Sequence, residues 1–378
     1  MRPFTRGQPK VMLPVGNRPF LEYLVRALQR NGIRDIIMVV GYHRERIMSH
    51  FQDGNDWNVT IQYVRQEKQL GTAHALRCAE EYLKGEDQFL LLAGDNLIEQ
   101  EDLQALITSE ESDVLLVTRS FLSTKYGVVQ ERNHEVTSIA EREVEGYEEE
   151  IFTGIGKFSI SIFDYLFDDV YLLTHLIQER LKYSPIRTIH ARTWMDAVYP
   201  QDLLRLNTRV LDDLPAGYGG IVEPGVMFKG NVLVGEGAVL RANAYLKGPI
   251  AIGEGVVIGP SSVVYGPASI GENCHIGSFC EIRNSIIMDN VTIGAGTVLE
   301  NAVIGAGTTL GPRFTTRKNR DPHSIGTKDL RHEGIAIGED CLIEENVILD
   351  NGVTIGNGVH VESGKHVNRP IADGTIVI

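Results

Sequence analysis

An acidic residue closes an apolar run in the segment 90–95, which reads LLLAGD. A carboxylate at the end of a buried strand can hold a hard cation such as Mg²⁺ through oxygen, so Asp95 is a candidate metal ligand. The alternative is a helix N-cap, in which Asp95 or Asn96 would accept from backbone N–H groups. Asp196, in Trp194-Met195-Asp196, is either a second ligand or a solvated acid before a helix.

Two further segments carry groups suited to a phosphate and to a nucleobase. Lys10 lies in a loop between two prolines, where it can act as a point charge on phosphate or be an ordinary surface residue. In the segment 66–73, QEKQLGTA, the Gln66 amide can read the edge of a base. Gly71 allows close backbone approach and Thr72 can cap the next helix, although a plain strand–loop–helix connection explains the same pattern.

The elements that must position these residues alternate between strand and helix over residues 1 to about 210. This alternation predicts an α/β sheet, largely parallel and covered on both faces. Ligands of such sheets gather beyond the carboxyl ends of the strands, where the candidate residues fall. The predicted strands are 35–41, 60–64, 89–93 and 113–118, and the predicted helices are 19–29, 72–83 and 101–109.

The back half repeats an apolar residue at every sixth position from Val222 to Ile282. The series slips by one residue before Ile287 and again before Ile304, and it returns at Ile337 after an interruption. Neither a helix nor a strand has a period of six, whereas a chain that turns a corner every six residues does. The repeat therefore predicts a parallel β-helix whose recurring apolar residues point inward.

Composition narrows the class of protein. A chain of 378 residues with 43% hydrophobic residues can fill two cores, and its net charge of −14 argues against binding nucleic acid or an anionic membrane. The four cysteines form no CxxC pair, which favours reduced thiols in a cytoplasmic protein. The longest apolar stretches have five residues, and we see no signal peptide or membrane span.

Four segments in this order resemble the sugar-phosphate nucleotidylyltransferases: Pro9-Lys10 with Leu13-Pro14, then Gln69-Leu70-Gly71-Thr72-Ala73, Gly94-Asp95 and Trp194-Met195-Asp196. The resemblance implies a Rossmann-like nucleotidyltransferase domain at 1–212. It also implies a left-handed β-helix at 213–378, with an insertion near 313–334; the hand comes from the family and not from the period.

The resemblance also implies a reaction. A sugar 1-phosphate attacks the α-phosphorus of UTP or dTTP, and pyrophosphate leaves without a covalent intermediate. Asp95 and Asp196 would hold Mg²⁺, and Lys10 would contact phosphate. The implied nucleotide-binding residues are Gln66, Gln69, Gly71 and Thr72, and the implied sugar-binding residues are Tyr126, Gly127, Glu141 and Thr153.

The chain departs from the family in three places. Met1-Arg2-Pro3-Phe4-Thr5 matches the residues just after the family's glycine-rich triphosphate loop, so we expect an in-frame extension upstream. Arg142 and Glu143 follow Glu141 where the family has lysine and proline, and Thr153 replaces an asparagine before Gly154. Both of these changes leave the identity of the sugar open.

Two rival functions remain. The β-helix could acetylate glucosamine 1-phosphate, although the segment 279–286 lacks the expected histidine base and His275 is best explained as a solvated edge residue. A chain that keeps both domains could also be a non-catalytic regulatory subunit. We expect a homo-oligomer, a dimer or a trimer, because a β-helix has open ends and flat faces. The insertion 313–334 could bind coenzyme A phosphates, or it could equally be a solvated loop or a subunit contact. Its polar and basic residues are Arg317, Lys318, Asn319, Arg320, His323, Lys328, Arg331 and His332.

Overall fold

A computed structural model describes residues 1–121, 123–141, 147–317 and 334–378. They form two compact units, of which one is Phe20–Asp196 and the other combines Met1–Pro19 with Ala197–Ile378. The two units meet along the chain between Asp196 and Ala197, before the domain boundary expected near residue 212. That boundary stays a prediction, since compactness alone does not define a domain.

The elements up to residue 212 follow the alternation seen in the sequence. The described helices are α1 Phe20–Arg30, α2 Arg44–Phe51, α3 Thr72–Ala79, α4 Gln100–Thr108, α5 Leu173–Arg180 and α6 Asp202–Asp212. The described strands are β1 Pro14–Val15, β2 Arg18–Pro19, β3 Asp35–Val40, β4 Thr60–Arg65, β5 Gln88–Leu91, β6 Asn96–Ile98, β7 Val114–Ser120, β8 Gly127–Arg132, β9 Glu135–Glu141, β10 Glu149–Ser159, β11 Arg187–His190 and β12 Trp194–Asp196.

The sheets of the unit Phe20–Asp196 are less parallel than the alternation predicts. Strands β3 and β4 form a parallel pair of their own. The six-stranded sheet has the order β5-β10-β7-β11-β9-β8, and β7–β11 is its one parallel pair among the described strands. The expectation of a largely parallel sheet is therefore wrong. The physical reason for the difference is that β8 pairs antiparallel with β9, and β10 with β7. Antiparallel neighbours can be joined without a crossover helix.

The core of the six-stranded sheet comes from alternating apolar residues. On β7 these are Leu115 and Val117, which pack with Val129 of β8 and Phe152 of β10. Helix α5 closes this core through Leu176. Val114 and Leu116, which point to the opposite face of β7, are buried as well, so this strand is covered on both faces, as predicted.

The other unit contains the predicted β-helix, a left-handed solenoid of three parallel sheets. Partners in neighbouring coils are 18 residues apart, as in Ile252 and Ile270, and 17 apart where the hexads slip, as in Ile270 and Ile287. The inward series is buried from Val234 onward, which confirms the prediction. Val222 in the first coil is the departure: it is 41% exposed, because no coil packs beneath it.

The three sheets are named A, B and C here. Sheet A comprises Gly217–Tyr218, Val232–Val234, Ile250–Ile252, Ala268–Ile270, Ile286–Ile287, Ala302–Ile304, Ile335–Ile337 and Thr354–Ile355. Sheet B comprises Ile221–Val222, Val239–Leu240, Val257–Ile258, His275–Ile276, Thr292–Ile293, Thr309–Leu310, Leu342–Ile343, His360–Val361 and Ile376–Val377. Sheet C comprises Met227–Lys229, Tyr245–Lys247, Val263–Tyr265, Glu281–Arg283, Val298–Glu300, Thr315–Arg317, Ile348–Asp350 and His366–Val367.

Sheet A is covered on its outer face, which explains why this unit includes the N-terminal residues. Helix α6 packs across its strands. Asn17 donates from its amide to the carbonyl of Ile270 at 2.7 Å, and Gly16 donates to the Asn207 side chain of α6 at 2.7 Å. Of the helices that the structure describes, none is long and apolar enough to cross a membrane.

Candidate functional site

Asp95 lies in the turn between β5 and β6 and is half-buried. No described helix begins at this turn; β6 follows directly, and α4 begins only at Gln100. The N-cap explanation of Asp95 is therefore wrong, because there is no helix for it to cap. Strand β5 also ends earlier than predicted, at Leu91.

The register of two short strands places Asp196 next to the turn that contains Asp95. Strands β6 and β12 pair antiparallel, with Asp196 opposite Asn96 and Trp194 opposite Ile98. Opposed residues in such a pair have Cα atoms about 4.5–5.5 Å apart. Asp196 therefore lies beside the residue that follows Asp95, and it is part of a strand rather than a solvated acid before a helix.

Tyr126 holds Asp196 in place. Its hydroxyl donates to Oδ2 of Asp196 at 2.8 Å, and its ring packs edge-on against Trp194 at 5.2 Å between centroids. The sequence assigned Tyr126 to the sugar and missed this contact, since nothing in the chain links positions 126 and 196. A tyrosine hydroxyl that donates to a carboxylate fixes which oxygen faces a bound cation.

Two neighbouring side chains fix the strands that carry the acids. The Asn96 amide donates to the backbone carbonyl of Thr153 at 2.8 Å, and both residues are buried. Asp102 of α4 accepts from the backbone N–H of Arg192, just before β12, at 2.9 Å. Burial raises the pKa of Asp102, an effect partly opposed by that backbone hydrogen bond. Neither the hydrogen bond of Asn96 to Thr153 nor that of Asp102 to Arg192 was predicted from the sequence. The position of Asn96 next to Asp95 was the available signal.

The loop 66–72 has a defined internal structure. The Gln66 amide nitrogen donates to the carbonyl of Gly71 at 3.1 Å and lies 3.0 Å from Nδ1 of His74. Gln69 is exposed, and its amide packs close to Gly41, where β3 ends. The loop therefore places two glutamines near the carboxyl end of a parallel strand, as the α/β rule predicts.

Gly71 is needed for a close approach. Its φ of +138° and its position against Tyr171 leave no room for a Cβ, which would overlap the Tyr171 carbonyl oxygen. Gly71, not Thr72, is the N-cap residue of α3. The prediction that Thr72 caps the helix is wrong, because its hydroxyl instead accepts from the backbone N–H of Leu173 at 3.0 Å.

The residues assigned to the sugar lie on three strands of the same sheet. Gly127 of β8 pairs with Glu141 of β9, and a Cβ on Gly127 would overlap Thr174. Glu141 is exposed. Thr153 is 3% exposed, and its hydroxyl donates to the carbonyl of Leu116 at 2.8 Å. Only Glu141 of these three offers a side-chain group to solvent.

Lys10 begins a one-turn 3₁₀ helix, Lys10–Met12, in the unit that contains the β-helix. The residues on either side of this helix, Pro9 and Leu13, are both extended. Because Lys10 and Asp95 belong to different units, the phosphate contact of Lys10 stays a prediction.

A comparison with protein-family models matches residues 1–207 to the nucleotidyl transferase family. The chain belongs to that family. Asp95 and Asp196 thus belong to a nucleotidyl transferase, the family that the sequence motifs indicate. The back half of this nucleotidyl transferase matches a GMPPB C-terminal domain at 246–320 and a hexapeptide repeat of succinyl-transferase at 334–369.

Curated relatives extend over most of the chain. A "Bifunctional protein GlmU" of Methanococcus maripaludis (strain C7) is 37% identical over 301 residues, which cover 77% of this chain and 71% of the relative. The "Low-salt glycan biosynthesis nucleotidyltransferase Agl11" of Haloferax volcanii is 28% identical over 249 residues, covering 62% of this chain and 70% of that protein. A "UTP--glucose-1-phosphate uridylyltransferase" of Staphylococcus haemolyticus is 27% identical over 199 residues, covering 43% and 69%.

A solved structure shares the fold. The crystal structure of a "Putative Glucose-1-Phosphate Thymidylyltransferase" from Bacillus anthracis superposes with a TM-score of 0.52 and 24% identity, covering 57% of this chain and 92% of that one.

Most of the residues proposed to bind acetyl-coenzyme A lie outside the part of the chain that the structure describes. Arg317 ends a strand of sheet C, 3.8 Å from Asp350. His275 is exposed on sheet B, as predicted for an edge residue. The other residues of that set lie outside the described residues: Lys318, Asn319, Arg320, His323, Lys328, Arg331 and His332. Arg142 and Glu143, which follow Glu141, lie outside them as well.

Proposed function

We propose that this nucleotidyl transferase moves a nucleotidyl group from UTP or dTTP to a sugar 1-phosphate and releases pyrophosphate. The observation that carries the proposal is the β6–β12 register, which brings Asp196 next to the residue after Asp95. The Staphylococcus haemolyticus relative is named for UTP and glucose 1-phosphate, which supports this substrate class.

The metal that fits the two acids is Mg²⁺, because carboxylate oxygens are its preferred protein ligands. Asp95 and Asp196 would hold it, and the Tyr126 hydroxyl would orient Asp196. When bound, Mg²⁺ neutralises charge on the phosphates. The chain itself would position the reactants in line, so that the sugar-phosphate oxygen bonds to the α-phosphorus as the bond to pyrophosphate breaks. Lys10 would add a positive charge on phosphate.

The loop 66–72 would read the base. Since the Gln66 amide nitrogen donates to Gly71, the group that Gln66 offers to a base is its amide oxygen, an acceptor. Uracil and thymine present an N3–H donor, whereas cytosine and adenine lack a donor at the corresponding ring nitrogen. This complementarity supports UTP or dTTP over CTP and ATP, whereas guanine, which has an N1–H donor, is distinguished by the substrate panel below. Gln69 and Thr72 would flank the base, and Gly71 would allow the close approach.

The sugar would lie against β8, β9 and β10. Glu141 is exposed and can accept from sugar hydroxyls, and the backbone N–H groups near Tyr126 and Gly127 can donate. Thr153 would contribute through its position, since its hydroxyl is bonded to Leu116 and its carbonyl to Asn96.

A substrate panel tests the proposal. The protein is incubated with Mg²⁺, each of UTP, dTTP, CTP, ATP and GTP, and a set of sugar 1-phosphates, and pyrophosphate and nucleotide sugar are quantified. We expect kcat/KM at least tenfold higher for UTP or dTTP than for CTP or ATP. If none of the substrate pairs yields pyrophosphate, the proposal is contradicted and a regulatory subunit is favoured.

A second candidate is acyl transfer by the β-helix, which the match of residues 334–369 to a hexapeptide repeat of succinyl-transferase favours. Thiol release from acetyl-coenzyme A with glucosamine 1-phosphate tests it.

We further propose a cytoplasmic homo-oligomer, a dimer or a trimer. Burial raises the pKa of the Cys280 and Cys341 thiols, which suits reduced cysteines in the cytoplasm. The flat faces of sheets B and C suit packing between copies of the chain.

A further inference from the structure

Five strands of the unit Phe20–Asp196 close into a ring. Strand β10 pairs with β7 and also with β8, through Ile151 and Val128, so that β10, β7, β11, β9 and β8 form a closed sheet. Its interior is apolar, with Val129 and Phe152 both buried. Alternate residues share a face of a strand, so the positions two residues beyond these continue the interior toward one end of the ring.

That end of the ring carries charged groups where the interior would otherwise stay apolar. Glu131 lies two residues after Val129, and Glu150 lies two residues before Phe152. Both glutamates are half-buried, with side chains 18% and 17% exposed. Placing two carboxylates in a partly dehydrated site is unfavourable without a compensating cation.

His190, at the end of β11, lies between the two carboxylates. Its Nε2 is 3.3 Å from Oε1 of Glu131, and its Nδ1 is 2.9 Å from Oε1 of Glu150. The Thr188 hydroxyl contacts the other oxygen of Glu131. Each carboxylate is thus oriented by a neighbour, and the imidazole is fixed from both sides.

A second imidazole approaches from the β8–β9 turn. His134 has a φ of +60° in this two-residue turn, and its ring lies 5.5 Å from the His190 ring at an angle of 81°. One ligand atom from each of Glu131, His134 and His190 lies within 4.8 Å of the others. The three groups come from separate elements, so only the tertiary structure assembles them.

We propose that Glu131, His134 and His190 form a binding site for a first-row divalent ion of the Zn²⁺ class. Ligand atoms around a tetrahedral zinc ion are about 3.3 Å apart, given bonds near 2.0–2.1 Å. The Glu131–His190 separation of 3.3 Å already matches that edge. The ligand atom of His134 lies within 4.8 Å of the other two, so its exposed ring has to approach them by at most about 1.5 Å to complete the triangle.

Glu150 supports this assignment from the outer shell. A metal-bound histidine commonly directs its other ring nitrogen to a carboxylate, which fixes the ring and its tautomer. Glu150 occupies that position on Nδ1 of His190.

The set of ligands selects the class of metal. Two imidazoles and one carboxylate suit Zn²⁺, Ni²⁺ or Cu²⁺, whereas Mg²⁺ and Ca²⁺ prefer oxygen alone. The competing explanation is an ion-pair network in which a protonated His190 bridges two glutamates. Arg119 of β7 is the other cation near Glu150, and it also pairs with Glu148 at 3.6 Å.

Zinc binding by protein without a polyhistidine tag tests the proposal. After removal of metals, the full chain is titrated with Zn²⁺ against a chromophoric chelator, and Co²⁺ is added separately for its visible spectrum. We expect one site that gives the intense absorption of four-coordinate Co²⁺. His190→Gln and His134→Gly should each weaken Zn²⁺ binding at this site by at least tenfold.

Two controls make the test decisive. Asn133→Gly alters the same turn, where Asn133 also has a positive φ, without removing a ligand, so its Zn²⁺ affinity should match that of the wild type. The Asp95→Asn/Asp196→Asn protein lacks the acids proposed to hold Mg²⁺ and should keep the zinc site. Unchanged affinity in both histidine variants, or loss of zinc in the double aspartate variant, would overturn the proposal without affecting the proposed transferase.

Discussion

The Tyr126 hydroxyl donates a hydrogen bond of 2.8 Å to Oδ2 of Asp196. It couples the start of β8 to β12 and fixes one of the two acids on which the proposed chemistry depends. The same tyrosine packs on Trp194, so its ring and its hydroxyl act on the same short strand.

Tyr126→Phe is expected to lower kcat by about 10- to 100-fold, the usual effect of losing an outer-shell partner of a metal ligand. The ring remains, so packing on Trp194 is kept and the melting temperature should change little. Steady-state kinetics at varied Mg²⁺ concentration measure the effect. Tyr82→Phe, at a residue 51% exposed, is the matched control and should leave kcat unchanged.

Asp95→Asn and Asp196→Asn should each lower kcat by about 10²- to 10³-fold, because an amide supplies no charge to hold a divalent ion. The Mg²⁺ concentration for half-maximal activity should rise in both variants. Glu81→Gln is the control, since Glu81 pairs with Lys84 on the surface at 2.7 Å. Equal Mg²⁺ dependence in wild type and variants would argue against a shared ion.

Gly71→Ala should raise the KM for the nucleoside triphosphate by about tenfold or more, since Gly71, with a φ of +138° and a ψ of −179°, has a backbone conformation that almost only glycine adopts and that costs an alanine about 1–3 kcal/mol. The added methyl group also overlaps the Tyr171 carbonyl and displaces the loop that holds Gln66. Gly85→Ala separates the two effects. Gly85 has a φ of +98° with no neighbouring atom within 4 Å, so that variant loses some stability but keeps its KM.

Arg180→Met should destabilise the unit Phe20–Asp196 by about 3–5 kcal/mol, because it leaves the buried Asp113 carboxylate unpaired. Arg180 contacts Asp113 at 2.7 Å, with side chains only 9% and 0% exposed. Urea unfolding followed by tryptophan fluorescence reports on this unit, which contains both Trp57 and Trp194.

Lys182→Met is the comparison for that measurement. Lys182 forms an exposed pair with Glu179 at 2.7 Å, and such pairs contribute about 0–1 kcal/mol. If both variants shifted the unfolding midpoint equally, the buried pair would have no special role in stability.

Alkylation at pH 8 should modify Cys78 before the other cysteines. Burial raises the pKa of Cys274 to about 12 and also raises the pKa of Cys280 and Cys341. A thiol with a raised pKa carries less of the reactive thiolate at pH 8. Mass spectrometry should find one label on the native protein and four after unfolding; early labelling of Cys274 would contradict the buried placement.

Much of the fold follows from local sequence. The predicted strands at 35–41 and 60–64 and the helix at 19–29 correspond to β3, β4 and α1. The predicted helix at 72–83 ends earlier, because α3 stops at Ala79 and a 3₁₀ turn follows. Local patterns fix the type of an element better than its ends, since the end depends on what packs against it.

The β-helix was the feature that the sequence determined most fully. A residue such as Ile258 or Ile276 points inward because its own hexad places it there, and each coil contacts only its neighbours. The two one-residue slips in the hexads reappear as coils of 17 residues. A periodic structure needs only a periodic sequence, so no distant contact has to be inferred.

The tertiary structure alone decided which distant residues meet. The motifs named Asp95 and Asp196, but only the register of β6 and β12 places Asp196 beside the residue that follows Asp95, and only the fold brings the Tyr126 hydroxyl to Asp196. Similarly, Glu131, His134 and His190 share no motif and meet because five strands close into a ring. Register and closure depend on the packing of the whole unit, and for this reason no local pattern along the chain encodes them.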